Sequence, residues 1–331
     1  MMVNQLGSPL EPLCSWPDQG PSPGALVDAH YQQKWWMDRM HRHRHLQLMT
    51  GATARDAARL QLQSMPPTTA WLNVTPNAGL GFKMESVDFT SLLKWWLGKP
   101  VTATSGACPC CEQQADVFGD HLVSCKFNQP TQRHNALRDA LHEVLLEHGI
   151  AAQKEVVIGE GRRPADVALP SFDSKGPTAV DLVVHHPLCP SRALTGNVKS
   201  SLKQAEEEKT AHSESWCQAH GWLFSAVGWH TWGGTGPRGS AFLARLEKQL
   251  VGDRKDWGKQ KVLKDFRSRL GFTVMRYVAR QLRAAGDVQV REPLPQRVTV
   301  NSPPLFCEED MRGWDEDDGV ADDSAKKSRP A

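Results

Sequence analysis

Residues 159–187 read GEGRRPADVALPSFDSKGPTAVDLVVHHP and contain two short runs that are rich in valine and leucine. The first run covers 163–170 and the second covers 179–184, with Ser, Asp, Lys, Gly and Pro residues between them. Such runs separated by turn-forming residues predict a β-hairpin. Asp166 lies in the first run and Asp181 in the second. The predicted hairpin therefore places two carboxylates in neighbouring strands.

These two aspartates predict a site for a divalent cation. A carboxylate inside an apolar strand is costly to desolvate unless it is exposed, paired or bound to a metal. Two such carboxylates in neighbouring strands suggest one shared cation, and Mg²⁺ or Mn²⁺ takes oxygen ligands of this kind. The alternative is that Asp166 and Asp181 lie at strand ends and face solvent, which the hairpin alone fits about equally well.

A helix predicted over 201–219 adds a cation to this pair. Its core-facing stripe, at the spacing i, i+3, i+7, consists of Leu202, Ala205, Lys209, His212, Trp216 and Ala219. A lysine in the middle of such a stripe either extends its ammonium group to solvent or points into a polar site, where it can orient an attacking water beside a metal. Lys209 is therefore the first candidate for a catalytic lysine. Lys203 lies about 100° off the stripe and Lys199 precedes the helix, so both are weaker candidates.

The strongest local pattern is a cluster of cysteines and a histidine. It reads Cys108-x₂-Cys111-x₉-His121-x₃-Cys125. The first pair forms a turn that places two thiolates on one ion, and the second pair lies about one helical turn apart, as zinc ligands do. We predict a structural zinc knuckle; cysteines that share this spacing by chance are the alternative. Cys110 is a spare thiol beside the set.

Composition limits the class of protein. The 331 residues carry a net charge of +2 and are 40% hydrophobic, enough for the core of one large or two small domains. Residues 301–331 hold nine acids and four bases, so the rest of the chain carries +7, an excess compatible with DNA and, as a second candidate, RNA. No apolar run reaches the roughly 18 residues of a membrane span, so no membrane partner is expected. Eight cysteines, three of them clustered, fit a reducing compartment better than a disulfide framework.

Periodicity and helix breakers predict an α/β protein with a small zinc knuckle and a helical N-terminal region. The predicted segments are 1–26 (disordered), 27–104 (helical), 105–128 (knuckle), 130–252 (α/β core), 253–286 (helical) and 287–331 (disordered acidic tail). The core is predicted to consist of two helices and four strands. Its order is helix 132–148, strand 152–158, strand 163–170, strand 178–184, helix 201–219 and strand 222–232.

Two further stretches bear on nucleic-acid or nucleotide binding. The helix predicted over 257–285 carries basic residues on several sides, so its exposed part either tracks a phosphate backbone or is simply solvated. A glycine-rich stretch contains Gly234-x₄-Gly239, but Ser240 and Ala241 follow instead of the lysine and hydroxyl residue of a phosphate loop. No nucleotide site is predicted there.

The order of these motifs resembles the C-terminal part of non-LTR retrotransposon polyproteins, in particular of site-specific elements with a restriction-like PD-(D/E)XK endonuclease. The likeness covers roughly residues 50–250 and comprises the knuckle, an Arg-His pair at 133–134 that leads into a helix, the segment Arg-Pro-Ala-Asp at 163–166, and Asp181. There are two departures. Ala165 separates the proline from the first aspartate, and Val183 stands where the motif usually has its lysine.

The resemblance implies a restriction-endonuclease-like core, in which a mixed sheet is flanked by helices. It also implies a nuclear enzyme of a transposable element that nicks target DNA. The 3′ hydroxyl exposed at the nick would then prime reverse transcription. Asp166 and Asp181 would hold Mg²⁺ or Mn²⁺, and Lys209 would position or activate water, since the lysine can move to the following helix in this superfamily. The zinc ligands would be Cys108, Cys111, His121 and Cys125. The chain contains no polymerase, so we expect a part of such a polyprotein or a domain retained by a host.

Two other functions remain open on the sequence. Val183 and the inserted Ala165 favour an inactive, zinc-containing nucleic-acid-binding remnant of the same polyprotein. A degenerate reading frame without selected function is the third hypothesis, although the intact motif spacing argues against extensive decay.

Overall fold

The computed structural model describes residues 29–173, 176–188, 198–253 and 256–283. The helices are α1 (Ala29–Thr50), α2 (Ala54–Gln63), α3 (Ser86–Trp96), α4 (Asp120–Ser124), α5 (Pro130–Glu147), α6 (Val198–Ala219), α7 (Pro237–Val251) and α8 (Asp256–Arg283), with a 3-10 helix at Thr68–Asn73. The strands are β1 (Gly106–Ala107), β2 (Gln114–Ala115), β3 (Gln153–Lys154), β4 (Val167–Asp173), β5 (Gly176–His185) and β6 (Leu223–His230). The predicted disorder of 1–26 and 287–331 lies outside the described residues.

A four-stranded mixed sheet, in the order β3-β4-β5-β6, forms the centre of this α/β fold. Strands β4 and β5 pair antiparallel with Val167 opposite Val180, so the predicted hairpin is confirmed. Strands β5 and β6 pair parallel, with Asp181 opposite Ala226. A parallel pair needs a crossover connection, and α6 provides it. The hairpin and the crossover share β5, the strand that carries Asp181.

The two faces of β5 contact different parts of the protein. Successive side chains of a strand point to opposite faces. Val180 and Leu182 join the large hydrophobic core that includes residues of α5. Ala179 belongs to a second cluster that contains Cys217 of α6. Asp181 shares the face of Ala179, so the strand directs this carboxylate towards α6.

Two predicted strands differ from the structure at their ends. The strand predicted over 152–158 is only two residues long, because Glu155 has a left-handed backbone with φ of 51° that turns the chain away. The strand predicted over 163–170 begins at Val167, so Asp166 directly precedes β4 instead of lying inside it. The backbone of Asp166 still bonds to β5, with its N–H donating to the Val180 carbonyl at 3.0 Å.

The helical segments on both sides of the sheet share its core. The rings of Trp95 in α3 and Trp232 after β6 stack with centroids 3.6 Å apart. The long helix α8 buries one face in the same core, through Phe266, Leu270, Val274, Met275, Val278, Ala279 and Leu282. Three arginines of α8 are engaged in ion pairs with acids of other helices or loops, namely Arg267, Arg269 and Arg283. Part of the basic character of α8 therefore fixes the helix in the fold.

Among the described residues, no helix combines the length and apolar character that crossing a membrane requires.

Candidate functional site

The predicted cysteine and histidine residues come together in a Cys₃His cluster beside the β1-β2 hairpin. Cys108 and Cys111 lie in the turn of that hairpin, His121 lies in α4, and Cys125 follows α4. The four ligand atoms lie within 4.8 Å of one another, with Cys108 Sγ and Cys125 Sγ 3.9 Å apart and Cys111 Sγ and His121 Nε2 3.2 Å apart. Tetrahedral zinc with thiolate ligands requires sulfur atoms about 3.8 Å apart. The cluster therefore fits a metal ion such as zinc, as the spacing predicts.

A buried aspartate joins this metal cluster to the rest of the fold. Asp120, at the start of α4, accepts hydrogen bonds from Arg55 Nη2 at 2.9 Å and from the indole N–H of Trp95 at 3.2 Å. His186, just beyond β5, lies 3.6 Å away. Burial alone would raise the pKa of Asp120, but the nearby His186 and the hydrogen bonds from Arg55 lower it to about 2. The carboxylate therefore stays ionised and connects α4 to α2, α3 and the sheet.

The second predicted site is also assembled. Lys209 Nζ lies 3.0 Å from Asp181 Oδ2 and 3.2 Å from its Oδ1. Asp166, Asp181 and Lys209 all line one cavity of about 310 Å³. The carboxylate of Asp181 is buried, whereas the Lys209 side chain remains 38% exposed. The cavity thus presents two carboxylates and one ammonium group to molecules that enter it.

Two groups that the sequence did not assign to the site bind the first carboxylate. His134 Nε2 in α5 lies 2.9 Å from Asp166 Oδ1, and the N–H of Leu182 donates to Asp166 Oδ2 at 2.7 Å. Both oxygens of Asp166 are therefore engaged within the protein. The Arg-His pair that leads into α5 was the available sequence pattern for His134, but its distance along the chain gave no reason to place it beside Asp166.

The environment drives the pKa values of the two carboxyl groups apart. Burial raises the pKa of Asp181 to about 7; the nearby charge of Asp166 adds to this, while Lys209 opposes it. Burial also acts to raise the pKa of Asp166, but the hydrogen bond and charge of His134 outweigh it, so the pKa is lowered. Adjacent carboxyl groups resist double ionisation unless a cation stands between or beside them. The pair is thus arranged to attract positive charge.

The predicted stripe on α6 is wrong in its second half. The buried polar and apolar residues of α6 are Leu202, Ala205, Glu206, Thr210, Ser213 and Cys217, whereas His212 and Ala219 are exposed. A stripe drawn at 3.5 residues per turn drifts away from the real face of a helix with 3.6. Lys209 accordingly lies at the edge of the buried face, from which it reaches Asp181. Lys203 pairs instead with Glu207 at 3.6 Å, and the side chain of Lys199 lies outside the described residues.

Glu206 is a buried carboxylate that the sequence did not reveal. Its oxygens accept three backbone N–H groups, from Gly228 at 2.9 Å, Arg238 at 2.9 Å and Gly239 at 2.7 Å. A Cβ atom at Gly236 would collide with this carboxylate, which explains one of the glycines in this loop. The start of α7, where a phosphate would otherwise find free N–H donors, is therefore occupied by Glu206.

The mouth of the cavity adds an acid and two guanidinium groups. Glu155, Arg162 and Arg163 line it together with the acid pair. Glu155 forms ion pairs with Arg138 and, at 3.4 Å, with Arg163. Arg162 donates to the carbonyl of His212 at 2.8 Å. The two neighbouring arginines add positive charge to the lining of the cavity.

No protein-family model matches this sequence, and no curated protein matches it significantly.

Proposed function

We propose that this chain is a divalent-metal-dependent endonuclease that nicks DNA by hydrolysing a phosphodiester bond, and that it derives from a non-LTR retrotransposon. One observation carries the proposal. Asp166, just before β4, and Asp181, in β5, line one cavity together with two arginines and with Lys209 from the crossover helix, which pairs with Asp181. This combination offers ligands for a hard cation and positive charge for a phosphate.

The order of the elements supports a restriction-endonuclease-like core as part of this proposal. Helix α5 precedes the β4-β5 hairpin, and α6 then leads to the parallel strand β6. The first acid directly precedes β4, the second lies in the middle of β5, and the lysine lies on the crossover helix. These positions agree with a motif whose lysine has moved from Val183 to Lys209.

Each residue of the cavity has a definable part in the proposed reaction. Asp166 and Asp181 would hold Mg²⁺ or Mn²⁺, which when bound supplies Lewis-acid activation of the phosphate and of water. Lys209 donates hydrogen bonds to Asp181 and so holds that carboxylate in place, with the exposed part of its ammonium group facing the incoming phosphate. His134 fixes the orientation of Asp166 through Oδ1. Arg162 and Arg163 are placed to bind the flanking phosphates.

The experiment is conversion of supercoiled plasmid to open circle by zinc-loaded protein with Mn²⁺ or Mg²⁺. We expect wild type to nick and both Asp181→Asn and Lys209→Ala to lose at least about 100-fold in rate, in keeping with losses from removing one electrostatic catalytic group. Lys203→Ala, on the same helix, is the matched control and should nick normally. If wild type leaves the plasmid intact over a range of salt concentrations, the enzyme proposal is wrong.

One observation favours the second function, an inactive nucleic-acid-binding remnant. The carboxylates already have partners: Asp166 binds His134 and the Leu182 N–H, and Asp181 binds Lys209. These contacts can serve as a purely structural polar cluster. Under this alternative, Asp181→Asn would bind DNA with the same salt dependence as wild type, and neither protein would nick it.

A further inference from the structure

An exposed tryptophan begins α8, on a part of the protein that the proposed reaction does not use. Trp257 is 73% exposed, which is unusual for so large an apolar side chain. Lys261 places its ammonium nitrogen 5.3 Å from the centroid of the indole ring. Lys264 continues the same helix face, because positions i, i+4 and i+7 lie one above the other. An aromatic plane and two cations therefore form one exposed stripe.

The lysines of this stripe are not used to hold the fold together. Lys261 and Lys264 form no ion pairs with other residues in the described part of the chain, in contrast to the arginines further along α8. Both lysines are exposed. Their charges remain available for a partner with negative charge.

A cavity lined by both polar and apolar side chains adjoins the stripe. It has a volume of about 470 Å³ and lies between the end of α2, the 3-10 helix and α8. Its lining includes Lys264 together with amide and hydroxyl side chains, among them Ser64, Thr69, Asn73 and Gln260. Such groups hydrogen-bond the edges of an unpaired base. The stripe and the cavity together offer an aromatic plane, cations and base-edge partners.

We propose that this stripe, Trp257 with Lys261 and Lys264, binds single-stranded DNA. Trp257 stacks on a base, and the lysines contact the neighbouring phosphates, a combination that binds single strands with little dependence on sequence. A membrane surface fits less well, because insertion requires apolar neighbours around the tryptophan. The exposed neighbours here are polar. The choice of DNA over RNA rests on the proposed function, since nicking a duplex frees a DNA strand near the protein.

The test is fluorescence anisotropy of a labelled 20-nucleotide oligo(dT) with zinc-loaded full-length protein and no added Mg²⁺. Trp257→Ala should weaken binding between about 5-fold and 100-fold, and Trp257→Phe should restore most of it. Lys261→Ala and Lys264→Ala should each reduce the slope of log affinity against log salt by about 0.7. Leu80→Ala and Lys248→Ala, at an exposed apolar position and an exposed lysine elsewhere, are the controls and should bind as wild type does. Melting curves check that each variant is folded.

Three outcomes would overturn the proposal. If Trp257→Ala leaves the affinity for oligo(dT) unchanged, Trp257 is not the stacking surface. Tighter binding to an oligo(U) RNA of the same length than to oligo(dT) assigns the surface to RNA. If the protein binds vesicles that contain phosphatidylserine but not oligo(dT), and Trp257→Ala abolishes the vesicle binding, the surface is assigned to a membrane. Because this assay measures binding without nicking, a protein that binds oligo(dT) through Trp257 but leaves plasmid intact refutes only the proposed enzyme.

Discussion

The Cys₃His cluster and the acid cavity are built in opposite ways. The four ligands of the cluster come from one stretch, 108–125, and their atoms already lie within 4.8 Å of one another. The acid cavity draws His134 from α5, Asp166 from the edge of β4, Asp181 from β5 and Lys209 from α6. A local site can be deduced from spacing, whereas a site assembled from four elements depends on the packing of the whole sheet.

The two sites also differ in how their charge is balanced. Asp120 fixes the cluster to the body of the fold through Arg55 and Trp95, so its charge is neutralised by the protein itself. Asp181 is buried with a single half-exposed lysine and a second carboxylate beside it, and its pKa rises to about 7. The first arrangement is typical of a structural contact. The second leaves two carboxyl groups that resist double ionisation beside each other, and a cation bound there would favour their ionised forms.

Removing the metal should have the largest effect on stability. The effect should be confined to the Cys₃His cluster and to the contacts that Asp120 makes with α2, α3 and the sheet. Structural zinc sites contribute about 10–16 kcal/mol of binding free energy in small fingers. Cys108→Ser or chelation should therefore abolish the ordered cluster and lower the melting temperature. Zinc content and thermal melts measure this. Cys110→Ser, which changes the thiol outside the four ligands, should retain both zinc and stability; equal melts with and without metal would contradict a structural role.

Glu206→Gln tests whether the buried carboxylate of Glu206 anchors α6, the helix that carries Lys209. The amide would turn one N–H group towards the backbone donors that now bind the carboxylate, which should cost about 3 kcal/mol in free energy of unfolding. Urea unfolding measures the change. The neighbouring Glu207→Gln removes an acid with 52% of its side chain exposed and should change stability by less than about 0.5 kcal/mol. Similar changes in the free energy of unfolding for the two variants would show that Glu206 does not anchor α6.

The pH dependence of stability reports the charge on Asp181. Its pKa is raised to about 7 in the folded protein from 3.8, so the folded state binds more protons than the unfolded state between these values. The contribution of Asp181 to stability should therefore fall by about 3 kcal/mol as pH rises from about 4 to 7 in buffer without divalent cations, and the stability of wild type relative to Asp181→Asn should fall by that amount. Asp181→Asn should lack this fall.

The comparison of wild type with Asp181→Asn is needed because a buried histidine acts in the opposite direction. Burial lowers the pKa of His230 to about 3 from 6.5, so its contribution is lost as pH falls through this range. That loss is common to both proteins and cancels in the difference. Parallel urea midpoints for the two proteins between pH 5 and 8 would show that Asp181 is not held in the environment described.

Lys209→Ala should have the smallest effect on stability and still abolish nicking. The side chain is 38% exposed, and pairs of this kind contribute about 1 kcal/mol or less. A loss above about 2 kcal/mol in urea unfolding, with the expected decrease in activity, would mean that the lysine acts by maintaining the fold. Lys203→Ala gives the reference for removing an exposed lysine from α6.

Much of the fold could be predicted from the sequence because each of the patterns involved spans only a short stretch of chain. The hairpin of β4 and β5, the helix α5 and the metal cluster follow from turn residues, apolar periodicity and ligand spacing. The short length of β3 was not accessible, since it depends on the left-handed backbone of Glu155, and the start of β4 at Val167 had no sequence signal. Neither feature changes the apolar pattern from which strands are predicted.

The sequence predicted both aspartates of the site but only some of the residues around them. Asp166, Asp181 and Lys209 were deduced from the apolar runs and the helix stripe, although the stripe was placed by a repeat that drifts along α6. His134 and Glu206 were missed because a polar side chain becomes a partner only through contacts between segments distant in sequence. Such contacts have no local signature, and the glycines around Glu206 were the one indirect trace of its position.

The measurement that tests the central claim most directly is the binding of Mn²⁺ to zinc-filled protein, followed by electron paramagnetic resonance of the free ion. We predict one Mn²⁺ site in wild type that Asp166→Asn and Asp181→Asn each remove, while zinc content and the melting curve are retained. Wild-type protein that binds no Mn²⁺ would contradict the claim, as would a site that survives both substitutions. In either case the two carboxylates would be the structural partners of His134 and Lys209 and not the ligands of a catalytic cation.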